Sequence, residues 1–232
     1  MKKILLLATA VLFLFATTAM ADSIKGKAGI TLRGGASYIF NSEWTDEAIT
    51  LFDGNVTKDI KPEIGWAGGG GIMYGIADNL TVNFDVIYSE TNLKADTNLG
   101  GTEVQMIIGK GKTIDFSLGA QWRFMPQNRF VPYVDAGVDY LVNKFDGAGM
   151  FAPSSTEGGN FEVNDTYGGH LSAGIDFFFT PNIAFNAEIR GLYTTEGDLK
   201  LKAAGSEMDG MVMAKYNPTN ISAFMGLRFF FP

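Results

Sequence analysis

The chain contains a single histidine, His170, and a serine follows it two residues later at Ser172. A histidine beside a hydroxyl can act as a general base that activates the hydroxyl for nucleophilic attack, so the pair could carry out hydrolysis. Such chemistry requires the two side chains to meet within hydrogen-bond distance, with a third group orienting the imidazole. The alternative is that both are polar side chains on one face of a strand. The direction in which this segment faces decides between the two interpretations.

A second short pattern, Gly111-Lys112-Thr113, ends like a phosphate-binding loop. The complete pattern needs a glycine at position 106 and a helix after the threonine. This chain has Met106 and an alternating segment instead, so we attribute the pattern to chance. The chain has no cysteine, which excludes disulfides and thiolate metal ligands, and we expect neither a metal site nor a cofactor. The net charge of −7 without a basic run also argues against nucleic-acid binding.

The N-terminus has the features of an export signal. Two lysines precede an apolar run at residues 4–15, and small residues follow up to Ala21. This order is typical of a cleaved signal peptide, and the run is shorter than the about 20 residues that span a bilayer. We therefore expect a cleaved signal peptide at residues 1–21 and a single domain at residues 22–232.

The apolar residues of the remaining chain recur with a period of two. Between positions 114 and 124 the even positions carry Ile, Phe, Leu, Ala, Trp and Phe, whereas the odd positions carry Asp, Ser, Gly, Gln and Arg. Alternation over about ten residues is typical of a strand with two unlike faces. The same test predicts eight strands, at about 27–40, 62–76, 80–94, 112–125, 129–144, 163–179, 182–196 and 218–231.

Short turns and long connections alternate between these strands. The long connections are predicted loops at about 41–61, 95–111, 145–162 and 197–217. An even strand number with this alternation describes an outer-membrane barrel, because in lipid every backbone polar group must be paired within the protein. The predicted fold class is therefore all-β, an eight-stranded antiparallel up-and-down transmembrane β-barrel. The alternative is a secreted β-sandwich, whose strands also alternate, but the long strands with one strongly apolar face favour the barrel.

Four segments of the predicted strands have a distinctive sequence: Ala120-Gln121-Trp122-x-Phe124, Phe130-x-Pro132-Tyr133-Val134-x-Ala136-Gly137-Val138-x-Tyr140, Gly174-Ile175-Asp176-Phe177 and Gly226-Leu227-Arg228-Phe229. These segments resemble strands of the OmpW family of outer-membrane proteins. The closing segment AFMGLRFFFP is similar to the C-terminal signal that outer-membrane assembly machinery recognises, except that Pro232 follows the last aromatic residue.

This resemblance implies a barrel in the bacterial outer membrane that passes small hydrophobic compounds through a narrow lumen with an apolar vestibule. In the family, bulky apolar residues of the second and seventh strands can narrow the lumen. The corresponding segments here, 66–71 and 188–191, carry small or charged residues, so we expect a gate of another kind. Gly69 and Gly71 on the second strand should face inward and leave room for a passage or pocket.

Strand parity places a set of polar side chains inside the barrel. The predicted lumen-lining residues are Arg33, Asp85, Asp115, Gln121, Arg123, Asp135, Asp139, His170, Ser172, Asp176, Glu188, Arg190 and Arg228, and Asn186 has the same parity. An eight-stranded barrel leaves an interior that side chains fill or that holds one small ligand. Because unpaired charges in a tight interior are unfavourable, we expect ion pairs that plug the lumen rather than an ion-selective path.

The long connections also carry large apolar residues, which polar surface loops do not need. The hypothesis is an apolar mouth that collects hydrophobic solutes, formed by Trp44, Leu51, Phe52, Met106, Met208 and Met211. The alternative is that these side chains pack the loops against one another.

Three functions follow from these observations. The leading prediction is a monomeric, non-enzymatic channel or uptake protein for small hydrophobic molecules, surrounded by outer-membrane lipid and lipopolysaccharide. The second is a structural or surface-interaction barrel without transport. The third is a lipid A-modifying enzyme, since His170-Leu171-Ser172 resembles the His-x-Ser motif of PagL-type deacylases. That motif continues into Asn-Ala, however, whereas Ala173-Gly174 follow here.

Overall fold

The computed structural model describes residues 23–40, 42–51, 56–99, 102–148, 160–202 and 209–231. The expected signal peptide at residues 1–21 lies outside these ranges and stays a prediction.

Eight long antiparallel strands form a closed barrel. Its strands are β1 (Ala28–Ile39), β4 (Ile64–Ala77), β5 (Leu80–Leu99), β6 (Thr102–Arg123), β7 (Phe130–Gly147), β9 (Thr166–Thr180), β10 (Ile183–Thr194) and β13 (Asn220–Phe231). Each strand pairs with its neighbour in the chain, and β1 pairs with β13 from Ala28 opposite Phe231 to Ile39 opposite Asn220. This last ladder leaves no open edge in the barrel, and the predicted fold class is confirmed.

The outer face of the barrel is apolar around its circumference. Leu32, Ile72, Leu118, Val138 and Leu171 lie on five different strands and are each 58–68% exposed. An apolar surface that runs around a whole protein is unfavourable in water but suits the hydrocarbon of a bilayer. The strands are therefore the membrane-spanning elements.

Aromatic pairs mark both ends of this apolar band. Near the long connections, Trp66 packs on Tyr88 and Tyr140 packs on Tyr167, each with ring centroids 5.2 Å apart. Near the short turns, the rings of Phe130 and Phe177 lie 4.8 Å apart. Aromatic side chains at these levels anchor a barrel at the two membrane interfaces.

The long connections contain more regular structure than the sequence predicted. They include the short strands β2 (Ser42–Trp44), β3 (Val56–Pro62), β8 (Asn160–Val163), β11 (Gly197–Lys202) and β12 (Val212–Tyr216), and one helical turn and a half, α1 (Asp46–Leu51). These elements pair in the order β5, β3, β2, β12, β11, β8 and continue the barrel wall beyond the membrane. We call them, with the outer ends of β5, β6 and β7, the extension. No helix in the described ranges is long and apolar enough to cross a bilayer.

The prediction of a loop at 95–111 was wrong because of a β-bulge. β5 and β6 remain paired as far as Leu99 opposite Thr102, but the register shifts after Leu93, which pairs with Gly109 while Lys94 pairs with Ile107. The extra residue at the bulge reverses the alternation. The consecutive Met-Ile-Ile of residues 106–108 therefore belongs to a strand, although it shows no period of two.

Candidate functional site

The barrel interior is filled with polar and charged side chains. All the residues assigned to the lumen from strand parity, from Arg33 on β1 to Arg228 on β13, are at most 8% exposed, and so is Asn186. They form two groups along the barrel axis. We call the group near the short turns the lower cluster and the group above it the upper cluster.

The lower cluster contains three arginines and three carboxylates, which are Arg33, Arg123, Arg228, Asp85, Asp176 and Glu188. Arg33 donates to Glu188 at 2.8 Å and to Asp85 at 3.0 Å. Asp176, with no exposed surface, accepts from Arg123 at 2.8 Å and from Arg228 at 3.0 Å. Each charge has a partner of opposite sign, as a low-dielectric interior requires.

Tyr133 completes the lower cluster, and sequence reasoning did not assign it to the interior. Its hydroxyl donates to Glu188 Oε2 at 2.6 Å, while the Arg228 guanidinium lies 4.6 Å from its ring centre. The side chain lies across Gly174 on the next strand, where it takes the place of a Cβ atom. Tyr133 has the same parity as Asp135 and Asp139, so that parity was the available signal.

The upper cluster is built around Arg190 and His170. Arg190 donates to Asp115 Oδ2 at 2.9 Å and also to Asp139. His170 Nδ1 lies 3.0 Å from Asp139 Oδ1, and its Nε2 lies 2.8 Å from Asp135 Oδ1. Both nitrogens of the imidazole are therefore occupied by carboxylates of β7, which fixes the ring against β7 inside the barrel.

The contacts of His170 show whether it can activate Ser172 in the His-x-Ser pattern. His170 and Ser172 both lie inside the barrel, but neither nitrogen of the imidazole is directed at the serine hydroxyl. A general base must be within hydrogen-bond distance of the hydroxyl that it activates. The two residues do not form a nucleophile–base pair.

The glycines of the second barrel strand do not leave an open passage. A Cβ atom at Gly71 would collide with the Asp85 carboxylate, and one at Gly69 would collide with the backbone of β5. Above Arg190 lies a small cavity of about 20 Å³, bordered by Ser37, Thr113 and Ser222. This volume holds about one water molecule. The expectation of room at Gly69 and Gly71 was wrong because the backbone of β5 and the Asp85 side chain occupy it.

The extension has an apolar interior. Its buried cluster, which we call the outer cluster, consists of Trp44, Ala48, Ile60, Leu93, Ala95, Ile108, Phe145, Val163, Leu199, Met213, Ala214 and Tyr216. Of the residues assigned to an apolar mouth, Trp44 is 1% exposed, Met211 packs against the cluster and Met106 is half-buried. The side chain of Leu51, together with Phe52 and Met208, lies outside the described residues.

The wall of the extension is interrupted between β7 and β8. β7 pairs with β9 only as far as Leu141 opposite Thr166, and no ladder joins β7 to β8 within the described part of the chain. At the lower end Asn143 donates to the Asn164 carbonyl at 3.2 Å and to Thr166 at 3.0 Å. We call the interruption the seam.

A cavity of about 620 Å³ opens at the seam. It is lined by Asn143, Lys144, Phe145, Asp146, Gly147, Phe161, Glu162 and Val163. The rings of Phe145 and Phe161 meet edge to face across it, with centroids 5.5 Å apart. Because Phe145 and Val163 belong to the outer cluster, the cavity leads from the surface to the apolar interior of the extension.

Among the residues that the structure describes, no three or more His, Cys, Asp or Glu side chains are arranged to hold a metal ion.

Comparison with known proteins gives a family and a fold. The model of the family described as "Outer membrane protein beta-barrel domain" matches residues 7–229. No curated protein is significantly similar to the chain in sequence.

The structural matches are distant in sequence. OprG from Pseudomonas aeruginosa is 16% identical, with 90% of this chain and 99% of that chain covered and a TM-score of 0.63. AlkL, solved in DMPC bilayers, is 14% identical, with 93% and 95% covered and a TM-score of 0.53. The Escherichia coli Outer Membrane Protein W is 16% identical, with 89% and 98% covered and a TM-score of 0.42.

Proposed function

The chain belongs to the outer membrane protein beta-barrel family, and we propose that it takes up small hydrophobic molecules across the outer leaflet of the bacterial outer membrane. The outer-membrane location and the resemblance to OmpW-type barrels predicted from the sequence are confirmed. The proposed route runs through the apolar interior of the extension and leaves sideways at the seam. The barrel lumen takes no part in it.

The closed lumen supports this route. Two layers of buried ion pairs, the lower and upper clusters, cross the interior from wall to wall. Below them, next to the short turns, an apolar layer that includes Met73, Val131, Phe178 and Phe230 fills the barrel. A hydrophobic solute that entered the lumen would have to break ion pairs in a low-dielectric interior, which is strongly unfavourable.

The main structural support for this route is the seam. It is an interruption in the barrel wall, placed directly beyond the Tyr140–Tyr167 pair that marks the outer membrane interface. Unpaired strand edges are tolerated at this level but not in the hydrocarbon, where no water satisfies their backbone groups. A solute in the outer cluster therefore reaches the bilayer by the seam without crossing the polar interior.

The alternative is a structural or surface-interaction barrel, which a filled lumen also suits. The occupied imidazole of His170 argues against a lipid A-modifying enzyme, and we infer that the chain is not an enzyme. This proposal also includes contacts with lipopolysaccharide, recognition of the C-terminal strand by assembly machinery and a monomeric state.

Cross-linking the seam tests the route. Because the native chain has no cysteine, the double variant Phe145→Cys/Phe161→Cys places thiols only on the two sides of the seam. We expect a short bis-maleimide to slow the uptake of octane by expressing Gram-negative cells several-fold relative to the same cells without reagent. Each single cysteine variant controls for the loss of the aromatic ring.

The matched control joins the same part of the wall below the seam. Tyr140→Cys/Tyr167→Cys lies where β7 and β9 are already paired, so its cross-link should leave uptake unchanged. Equal uptake before and after cross-linking at the seam would refute the proposed route. Uptake no faster than in cells without the protein would favour the structural alternative.

A further inference from the structure

Lysines and acids lie on both sides of the seam. On one side Lys112 forms an ion pair with Asp146. On the other side Lys202 Nζ lies 3.1 Å from Glu162 Oε2. The hydrogen bond from Lys202 to Glu162 raises the pKa of that lysine above its usual value, so it is charged at neutral pH. Lys144, an exposed residue of β7 that lines the cavity, has no ion pair or hydrogen bond in the described structure.

The surroundings of Lys144 explain why it is left without a partner. It lies directly opposite Lys112 in the β6–β7 ladder, an arrangement that is unfavourable for like charges. Asp146 is bonded to Lys112, Glu162 is bonded to Lys202, and the nearby Asp165 accepts from Tyr140. The acids described at this end of β7 are thus engaged, and Lys144 has no carboxylate partner among the described residues.

The width of the seam limits what can lie in it. The Cα atoms of β7 and β8 approach within 8 Å of each other. An inserted strand needs about 4.8 Å on each side, so a peptide does not fit between them. A single alkyl chain pairs with no backbone group and is narrow enough to lie in the cavity, against the contacting rings of Phe145 and Phe161.

From this geometry we propose that the seam selects single-chain amphiphiles that carry one carboxylate. The carboxylate binds Lys144 at the rim, and the alkyl chain lies in the cavity beside Phe145 and Phe161, directed toward the outer cluster. This inference rests on the proposed uptake function and gives it a substrate class, the medium-chain carboxylic acids.

The test compares two solutes of equal chain length in the same cells. At pH 7.4 octanoate is an anion, since its pKa lies near that of other carboxyl groups, whereas octanol is neutral. We expect Lys144→Gln to lower the ratio of the initial rates of octanoate and octanol uptake by about two- to fivefold. This factor corresponds to the free energy of one exposed charge contact. Lys144→Glu should lower it further, and high salt should reduce the difference.

Lys215→Gln is the matched control, because Lys215 is paired with Asp198 and lies on β12, a strand that does not border the seam. Its uptake ratio should equal that of the unaltered chain. A ratio unaffected by either change at Lys144, with both solutes entering rapidly, would overturn the carboxylate selectivity and leave hydrophobic uptake standing. Entry of neither solute above cells lacking the protein would overturn both.

Discussion

Asp176 and Arg228 form a two-point ion pair inside the barrel. One nitrogen, Arg228 Nη1, donates to both carboxylate oxygens, at 3.1 and 3.0 Å, and Asp176 has no exposed surface. Because Asp176 also accepts from Arg123, one carboxylate compensates two guanidiniums from two other strands. The pair therefore ties β6, β9 and β13 together across the lumen.

Removing this carboxylate should destabilise the barrel strongly. Asp176→Asn keeps the shape of the side chain but leaves two buried guanidiniums without their anion. We expect the free energy of unfolding to fall by about 3–5 kcal/mol, the range for breaking a buried ion pair from one side. Urea unfolding in detergent micelles or vesicles, followed by tryptophan fluorescence, measures the change.

The control is Asp198→Asn, which removes the half-buried partner of the exposed Lys215 in the extension. Its effect should remain below about 1 kcal/mol, as for other surface pairs. A similar small loss for Asp176→Asn would show that water or rearrangement compensates the interior charges.

The filled lumen predicts that ions do not pass through the barrel. The cavity bordered by Arg190 and Asp115 is about 20 Å³, which fits one water molecule and not a hydrated ion. In planar bilayers the purified protein should produce no stepwise conductance above the bare membrane, whereas a general porin does so under the same conditions. Reproducible single-channel steps would contradict the closed interior.

Strand parity was sufficient to predict the barrel and the polar side of each spanning strand. The pattern at 114–124 has the same alternation that the structure shows as buried Asp115, Ser117 and Gln121 against exposed Phe116 and Leu118. Parity reports which face of the wall a side chain is on. Parity does not show which residues of different strands lie close together, so the individual ion pairs could not be predicted from the sequence.

The strands of the extension could not be predicted from strand parity. Its strands are short, and in β5–β6 a bulge interrupts the period, so the signal does not persist over enough residues. The seam depends on where β7 loses its pairing with β9, which is a property of the register and not of either strand alone. Lys144 therefore looked like any exposed lysine in the sequence.

The contacts of His170 predict that the chain does not modify lipid A. His170→Ala should leave the acyl pattern of lipid A the same as in cells with the unaltered chain, because neither nitrogen of the imidazole is available to Ser172. Mass spectrometry of lipid A from both strains gives the comparison. An acyl chain that is lost only when His170 is present would establish the hydrolase that the structure argues against.

Acidification should loosen β3 from the barrel wall. Glu63, directly after β3, accepts from Lys94 at 2.5 Å and from Asn92 at 2.9 Å, both on β5. Lys61 of β3 donates to Asp96 of β5 at 2.5 Å. The hydrogen bond from Lys94 lowers the pKa of Glu63, and the hydrogen bond from Lys61 lowers that of Asp96, both from ordinary carboxyl values.

A carboxylate whose pKa is lower in the folded than in the unfolded state stabilises the fold above the unfolded pKa. That contribution is lost as the pH falls below about 4 and through the folded pKa values. We expect the backbone amides of β3 to exchange faster at pH 3.5 than at pH 6 after correction for intrinsic rates, while those of the β1–β13 ladder do not change. Glu63→Gln/Asp96→Asn should remove this pH dependence, and its persistence in the double variant would assign the loosening to other groups.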